Sequence, residues 1–340
     1  MRKDCRKILV NKEWDINFVT DKFKEKIDNP YEIIVKNKYT HISAGTELAC
    51  ISGLESWFPF PGTPGYTAIG EIIEKGDEVR DFEIGDLVFT MSNHAEYFKL
   101  DIRDRWHGVC VKLPAGIDPE HAAFVHMGII AITSLRVSEI ELGDNVLVTG
   151  LGVIGNMAAQ FARMQGANVI ATDIIDERIK VAKQCGIKTA INSKKVDLKK
   201  EIDKVTNGES VSTFIDATGV PALIEQYADF VAFNGEIVLL GSPRAEYETN
   251  LTNLLQKVHL LPQNLKLKGA LEFTFPTQQD EFVKHSIERN AKIILNLINE
   301  DKLKIEPFYT QKITPQEAPQ AYVGLRDKGE EYMGVVIDWN

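Results

Sequence analysis

The chain has 340 residues, with 39 Lys and Arg against 49 Asp and Glu and a formal net charge of −10. Hydrophobic residues make up 44% and charged residues 26%. That is enough apolar mass for real cores, so disorder is excluded as a description of the whole. An acidic chain without a basic block repels phosphate backbones, which argues against a nucleic-acid partner.

Length suggests about two domains, and the elements divide accordingly. The first apolar stretch, Ile8-Leu9-Val10, is too short for a signal-peptide core. Residues 1–118 read as β-rich, with short strands at 33–35, 68–73, 87–90 and 109–112. Pro61-Gly62, Pro64-Gly65, Gly76-Asp77 and Gly85-Asp86 punctuate them. A helix is predicted from 119 to 137. It contains the longest apolar run, 122–132, which is about half a membrane span. From Asn145 strands (146–149, 169–172, 213–216, 236–240, 265–269) alternate with helices (154–165, 177–185, 222–231, 251–260), the rhythm of βαβ units on a parallel sheet. The Lys-rich stretch 194–204 reads as a solvated helix face. After about 273 the alternation stops. A helix at 279–299, a second at 315–325 and a closing strand at 334–338 have no core of their own. They are expected to pack back on the first stretch. The expected domains are 1–118 with 273–340, and 119–272. Cys5, Cys50, Cys110 and Cys185 show no pairing rhythm, so no disulfide framework is expected. These features read as a soluble cytoplasmic protein without membrane contact.

One motif carries chemistry. Gly150-Leu151-Gly152-Val153-Ile154-Gly155 follows an apolar strand and opens a helix with apolar residues at Ile154, Met157, Ala158, Phe161 and Ala162. A second strand ends at Asp173, 18 residues after Gly155. This is the context a dinucleotide fingerprint requires. Gly150 allows the turn, Gly152 lets a pyrophosphate approach, and Gly155 lets helix and strand pack. The helix N-terminus presents N–H groups and partial positive charge to phosphates. Asp173 can accept hydrogen bonds from an adenosine ribose and repels a 2′-phosphate, so NAD is expected rather than NADP. Arg178 is a candidate adenine contact or a helix-start residue. Thr218, Gly241 and Ala270 lie at later strand ends, as cofactor contacts or as plain turn chemistry.

The whole chain resembles the medium-chain dehydrogenase/reductase superfamily of the alcohol dehydrogenase type. The matching segments are Gly45-Thr46-Glu47, Pro64-Gly65-Tyr66-Thr67-Ala68-Ile69-Gly70, Gly85-Asp86, His94-Ala95-Glu96-Tyr97, Leu142-Gly143-Asp144, the fingerprint, and the tail from Ile313 to Tyr322. The resemblance implies an α/β protein: a GroES-like, β-rich catalytic domain split around an inserted, doubly wound Rossmann domain. It also implies a homodimer or homotetramer and a small alcohol or carbonyl substrate.

The same comparison shows a departure. Zinc-dependent members read Cys-Gly-Thr-Asp where this chain has Ala44-Gly45-Thr46-Glu47, and Gly-His-Glu where it has Gly65-Tyr66-Thr67. His126 aligns with their third ligand, a Cys, and 91–105 lacks the structural-zinc cysteines. No metal is therefore expected, with a rebuilt site from Glu47, His94 and His126 as the alternative. The resemblance makes Thr46, Tyr66 and His94 the candidates for handling the hydroxyl proton, and puts Trp57 and His126 at the substrate pocket. The leading expectation is a zinc-independent NAD oxidoreductase acting on a polyol, cyclitol or sugar derivative, close to the polyol and hydroxyethyl-chlorophyllide dehydrogenases. A zinc-free quinone or enone reductase and a non-catalytic NAD-binding protein are the other readings.

Overall fold

The first element is a two-stranded ribbon whose sequence is mostly charged and polar. In the structure, a computed structural model describing residues 2–340, β1 (Arg2–Val10) and β2 (Ile16–Lys24) form an antiparallel ribbon. Ion pairs tie the strands together, Lys7 to Asp21 at 2.7 Å and Lys22 to Asp4. Ile8 and Val10 are fully buried. Nine antiparallel backbone pairs and the buried Cys5, Ile8 and Val10 hold the ribbon, while the exposed charge pairs add little. Apolar patterning misses it because the surrounding residues of both strands are mostly charged or polar.

β3 (Glu32–His41), α1 (Ala44–Ile51), β4 (Ala68–Lys75), β5 (Leu87–Thr90), β6 (Tyr97–Asp101) and β7 (Cys110–Lys112) follow. The predicted helix over 119–137 is two helices. α2 (Pro119–Ala122) begins with Pro119 after Asp118, whose side chain accepts the Glu120 N–H. α3 (Val125–Val137) then starts anew.

Strands and helices next alternate: β8 (Asn145–Thr149), α4 (Val153–Met164), β9 (Asn168–Asp173), α5 (Asp176–Gln184), β10 (Thr189–Asn192), α6 (Leu198–Val205), β11 (Val211–Asp216), α7 (Pro221–Tyr227), β12 (Val231–Leu239), α8 (Thr252–His259) and β13 (Lys266–Gly269). Six parallel strands lie in the order β10-β9-β8-β11-β12-β13. The chain winds outward from β8 in one direction and from β11 in the other. The carboxyl ends at that switch are where such sheets bind ligands. Val146, Leu147 and Val148 are fully buried, as expected for a strand covered on both faces. β10 escapes sequence reading because only Ala190 and Ile191 are apolar in its four residues. The Lys-rich stretch does form a solvated helix: α6 is capped by Asp197, and Lys199 and Lys200 pair with Asp203 and Asp197.

The tail contributes α9 (Ile287–Asn299), β14 (Tyr309–Ile313), α10 (Ala318–Asp327) and β15 (Gly334–Asp338). α9 starts later than the predicted 279, because the Ser286 side chain accepts the Arg289 N–H and sets the helix start. β14 and β15 join β3, β4, β5 and β7 in a seven-stranded sheet ordered β14-β15-β3-β4-β5-β7, with β6 also paired to β3. Ile8, Ile42 and Ile51 from the first stretch share a core with Tyr322, Ile337 and Trp339 from the tail. The chain thus forms two compact units, one from residues up to His126 together with Phe275–Asn340, the other Met127–Thr274. The fold is the α/β arrangement expected, a β-rich part split around a parallel-sheet part. Among the described residues no helix is long and apolar enough to cross a membrane.

Candidate functional site

In the parallel-sheet unit, the turn after β8 shows three separate demands for glycine. Gly150 has φ +82°, a left-handed conformation, and a Cβ there would meet Thr218 Cγ2 at 2.8 Å. A Cβ on Gly155 would overlap the Gly150 carbonyl oxygen outright and touch Ala217 Cβ at 3.0 Å. Around Gly152 the space is open, with nothing within 4 Å of where a Cβ would be. Gly152 caps α4 with no side-chain bond, and Val153 and Ile154 begin its first turn. The turn is therefore an unfilled cradle at a helix N-terminus, which suits an anionic diphosphate.

Asp173 ends β9 beside that cradle and is 7% exposed. Oδ2 accepts the Leu151 N–H at 2.7 Å, and Oδ1 accepts the N–H groups of Ile174 at 2.7 Å and Ile175 at 3.0 Å. Arg178 Nη1 lies 3.6 Å from Oδ2. The carboxylate thus ties the glycine turn to the end of β9. Arg178 is its ion-pair partner.

The next strand end is organised by Asp216, a residue sequence reading gave no role beyond ending a strand. It accepts the hydroxyls of Thr149 at 2.8 Å and Thr218 at 2.6 Å, and the N–H groups of Thr218 and Gly219 at 3.1 Å each. Thr218 Oγ1 also accepts the Val220 N–H at 3.0 Å. Gly241 has no room for a Cβ against the Gly219 nitrogen. Ala270 is buried and donates its N–H to Leu239 O at 2.9 Å. Thr218 and Gly241 hold the two strand ends together, and Ala270 extends the β12–β13 pairing.

In the β-rich unit a buried polar network surrounds Glu47 on α1. Its Oε1 accepts the Ser43 N–H at 2.7 Å. Its Oε2 is 2.9 Å from His94 Nε2 and accepts the Tyr322 hydroxyl at 2.5 Å. His94 Nδ1 is 2.8 Å from Thr40 Oγ1, which accepts the Trp339 indole N–H at 2.9 Å. Both ring nitrogens of His94 are thus bonded, Nε2 to the Glu47 carboxylate and Nδ1 to the Thr40 hydroxyl. Burial, then the Glu47 charge, hold the Tyr322 phenol well above its usual pKa, so it stays a donor.

His94, expected from the sequence as an acid–base group at a pocket, sits inside this network. It is 0% exposed and both ring nitrogens are bonded. It also lies against Gly65, whose φ is +95° and where a Cβ would meet the imidazole at 2.8 Å. Tyr66, the next residue, is half-buried, and its hydroxyl donates to Ser43 Oγ. The His126 ring meets the Tyr66 ring edge-on at 4.9 Å, and its Nδ1–H donates to the Tyr66 carbonyl at 2.8 Å. Thr46 is half-buried on α1. Trp57 is 62% exposed, with its indole N–H on Glu55 at 2.9 Å, so it covers little surface within its own unit.

A catalytic zinc needs three or more converging Cys, His or carboxylate donors. Ala44 has no donor. The Tyr66 phenol is committed to Ser43, and Glu47 and His94 are committed to each other. Among the described residues no group of three or more His, Cys, Asp or Glu could hold a metal ion. The residues present do not fit zinc.

Local sequence carries no signal for Thr40, Tyr322 and Trp339 in this network. Glu47 and Tyr322 are 275 positions apart, and Thr40 and Trp339 are 299 apart.

Residues 29–127 match the family profile of the alcohol dehydrogenase GroES-like domain, and residues 153–285 match that of the zinc-binding dehydrogenases. A sorbitol dehydrogenase of Halalkalibacterium halodurans is 25% identical, covering 91% of this chain and 93% of its own. An L-threonine 3-dehydrogenase of Burkholderia cenocepacia is also 25% identical, over 91% of this chain and 92% of its own. Among solved structures, an alcohol dehydrogenase from Thermus sp. ATN1 superposes with a TM-score of 0.80 at 20% identity, covering 98% of this chain and 99% of its own. A 2R,3R-butanediol dehydrogenase from Bacillus subtilis gives 0.79 at 19% identity, over 99% and 100%. These structures share the fold.

Proposed function

Because the chain belongs to the medium-chain zinc-type alcohol dehydrogenase superfamily, we propose that it is an NAD-dependent oxidoreductase acting on a secondary alcohol of the polyol, cyclitol or sugar type, with side chains rather than zinc handling the hydroxyl proton. The observation that carries this reading is the open glycine cradle at the start of α4, tied to the end of β9 by Asp173. Sorbitol and L-threonine, named in the two relatives, both contain a secondary hydroxyl.

The cradle of Gly150, Gly152, Val153, Ile154 and Gly155 receives the pyrophosphate through backbone N–H groups and the helix dipole. The Asp173 charge disfavours a 2′-phosphate beside it, which supports NAD over NADP. When bound, the dinucleotide supplies a hydride acceptor at its nicotinamide ring. The chain's part is to bind the substrate oxygen and manage its proton. Tyr66 is the group assigned to that oxygen, because its phenol is half-buried and the sequence resemblance aligns it with a zinc ligand of the zinc-dependent members. Thr46 supplies a second hydroxyl. His94 moves from acid–base work to holding the segment that carries Tyr66.

The test pairs nucleotide binding with turnover. Fluorescence titration should give tighter binding of NADH than of NADPH. A polyol panel with NAD⁺ should give turnover that Tyr66→Phe lowers by about 10²–10⁴-fold, the usual range for an acid–base group. Equal or no nucleotide binding, or full activity in Tyr66→Phe, refutes the reading.

A further inference from the structure

We propose that Glu47 is the positioning residue of the Tyr66 phenol, acting through both of its carboxylate oxygens. The inference rests on the assignment of Tyr66 above and goes beyond it.

The geometry converges from two sides. On one side, Glu47 Oε1 accepts the Ser43 N–H at 2.7 Å, and Ser43 Oγ accepts the Tyr66 hydroxyl. Ser43 stands at the N-cap of α1, where a serine hydroxyl ordinarily accepts an amide of the first helical turn. Here it makes no such cap bond. The carboxylate fixes the Ser43 backbone, which leaves the hydroxyl to the phenol. On the other side, Glu47 Oε2 holds His94 Nε2 at 2.9 Å. The His94 ring packs under Gly65, and the backbone N–H of His94 donates to Pro64 O at 2.8 Å. That fixes the left-handed turn from which Tyr66 projects. One carboxylate therefore holds the acceptor of the phenol and the support of its backbone.

Tyr322 completes the arrangement. Its hydroxyl donates to Oε2 at 2.5 Å, so the carboxylate is pinned between α1, the His94 loop and α10. Ser43, Glu47 and His94 are all buried. The three partners of Glu47 are Ser43, His94 and Tyr322. Its effect on the reaction passes through Tyr66.

Glu47→Gln keeps the shape and places an amide N–H₂ against donors it cannot accept from. Ser43→Ala is the gentler variant, since it leaves Glu47, His94 and Tyr322 untouched and removes only the acceptor of the phenol. Each variant is combined with Tyr66→Phe and assayed for kcat and KM with NAD⁺ and the polyol panel, and for thermal stability. Both variants should lower kcat about tenfold or more with little change in the KM for NAD⁺, and neither should lower it further in the Tyr66→Phe background. The Tm losses should also be non-additive with that of Tyr66→Phe.

Equal fold effects on kcat in both backgrounds overturn the proposal, because a residue that acts through Tyr66 has nothing to act on once the phenol is gone. If Tyr66→Phe alone leaves turnover intact, or no panel alcohol is oxidised, the functional reading fails instead. Additive Tm losses then still overturn the positioning role, and non-additive losses support it. If Glu47→Gln does not fold, Glu47→Asp, which keeps the charge and withdraws the oxygens, is read in the same cycle: a kcat loss that vanishes in the Tyr66→Phe background supports the proposal, and an equal loss in both backgrounds overturns it.

Discussion

His41 offers a quantitative test of the packing beneath the polar network. It is 1% exposed at the end of β3, its ring lies 4.4 Å from that of Phe124, and neither ring nitrogen has a partner. Burial first, then the neighbouring His94 and His126, push its pKa down from 6.5 to about 3. In the unfolded chain the same group titrates at its ordinary value. The folded state thus binds fewer protons between pH 6.5 and 3, and stability contributed above that window is lost as pH falls through it. Each pH unit costs about 1.4 kcal/mol for one proton, so about 2 kcal/mol is lost by pH 5. His41→Leu removes the titration and keeps an apolar group against Phe124. Urea unfolding at pH 7.5 and pH 5 should show that the wild type loses about 2 kcal/mol more than the variant across that interval. Equal losses in the two proteins would mean that His41 is not held neutral by its surroundings.

Three further outcomes follow from named contacts. Gly152→Ala should leave Tm within about 1 °C, since no atom lies within 4 Å of the new Cβ, yet weaken NADH binding about tenfold or more by occupying the diphosphate space; unchanged titration curves would show that the cradle is not the phosphate site. Gly155→Ala should lower Tm as well, because its Cβ overlaps the Gly150 carbonyl, and a thermal melt equal to wild type would contradict that packing. Tyr322→Phe removes a buried donor from Glu47 and should cost about 1.5–3 kcal/mol in denaturant unfolding, whereas a loss below about 0.5 kcal/mol would place it with ordinary surface changes.

How far the sequence reaches depends on which force sets each element. The strand, glycine turn and amphipathic helix of 145–165 are local, so spacing and burial pattern announce them. The β1–β2 ribbon is not announced, because its few buried apolar residues, Ile8 and Val10 among them, are set among charged and polar ones that read as surface. β10 and β14 are too short and too polar to stand out from loops. At the site, Tyr66 is visible as a substitution at a motif position, but its partner Ser43 is not, since a serine before a helix reads as a cap. The burial of His94 is invisible for a different reason. It depends on Glu47, Thr40 and a Trp339 that only the folded chain brings together.

The central claim is that an alcohol is oxidised here with NAD and without a bound metal. It is met most directly by measuring NAD⁺ reduction with the polyol panel on protein whose metal content is determined before and after exhaustive chelation. Turnover should survive chelation, with zinc far below one per chain. About one zinc per chain, together with activity that disappears on chelation and returns with added zinc, would contradict it.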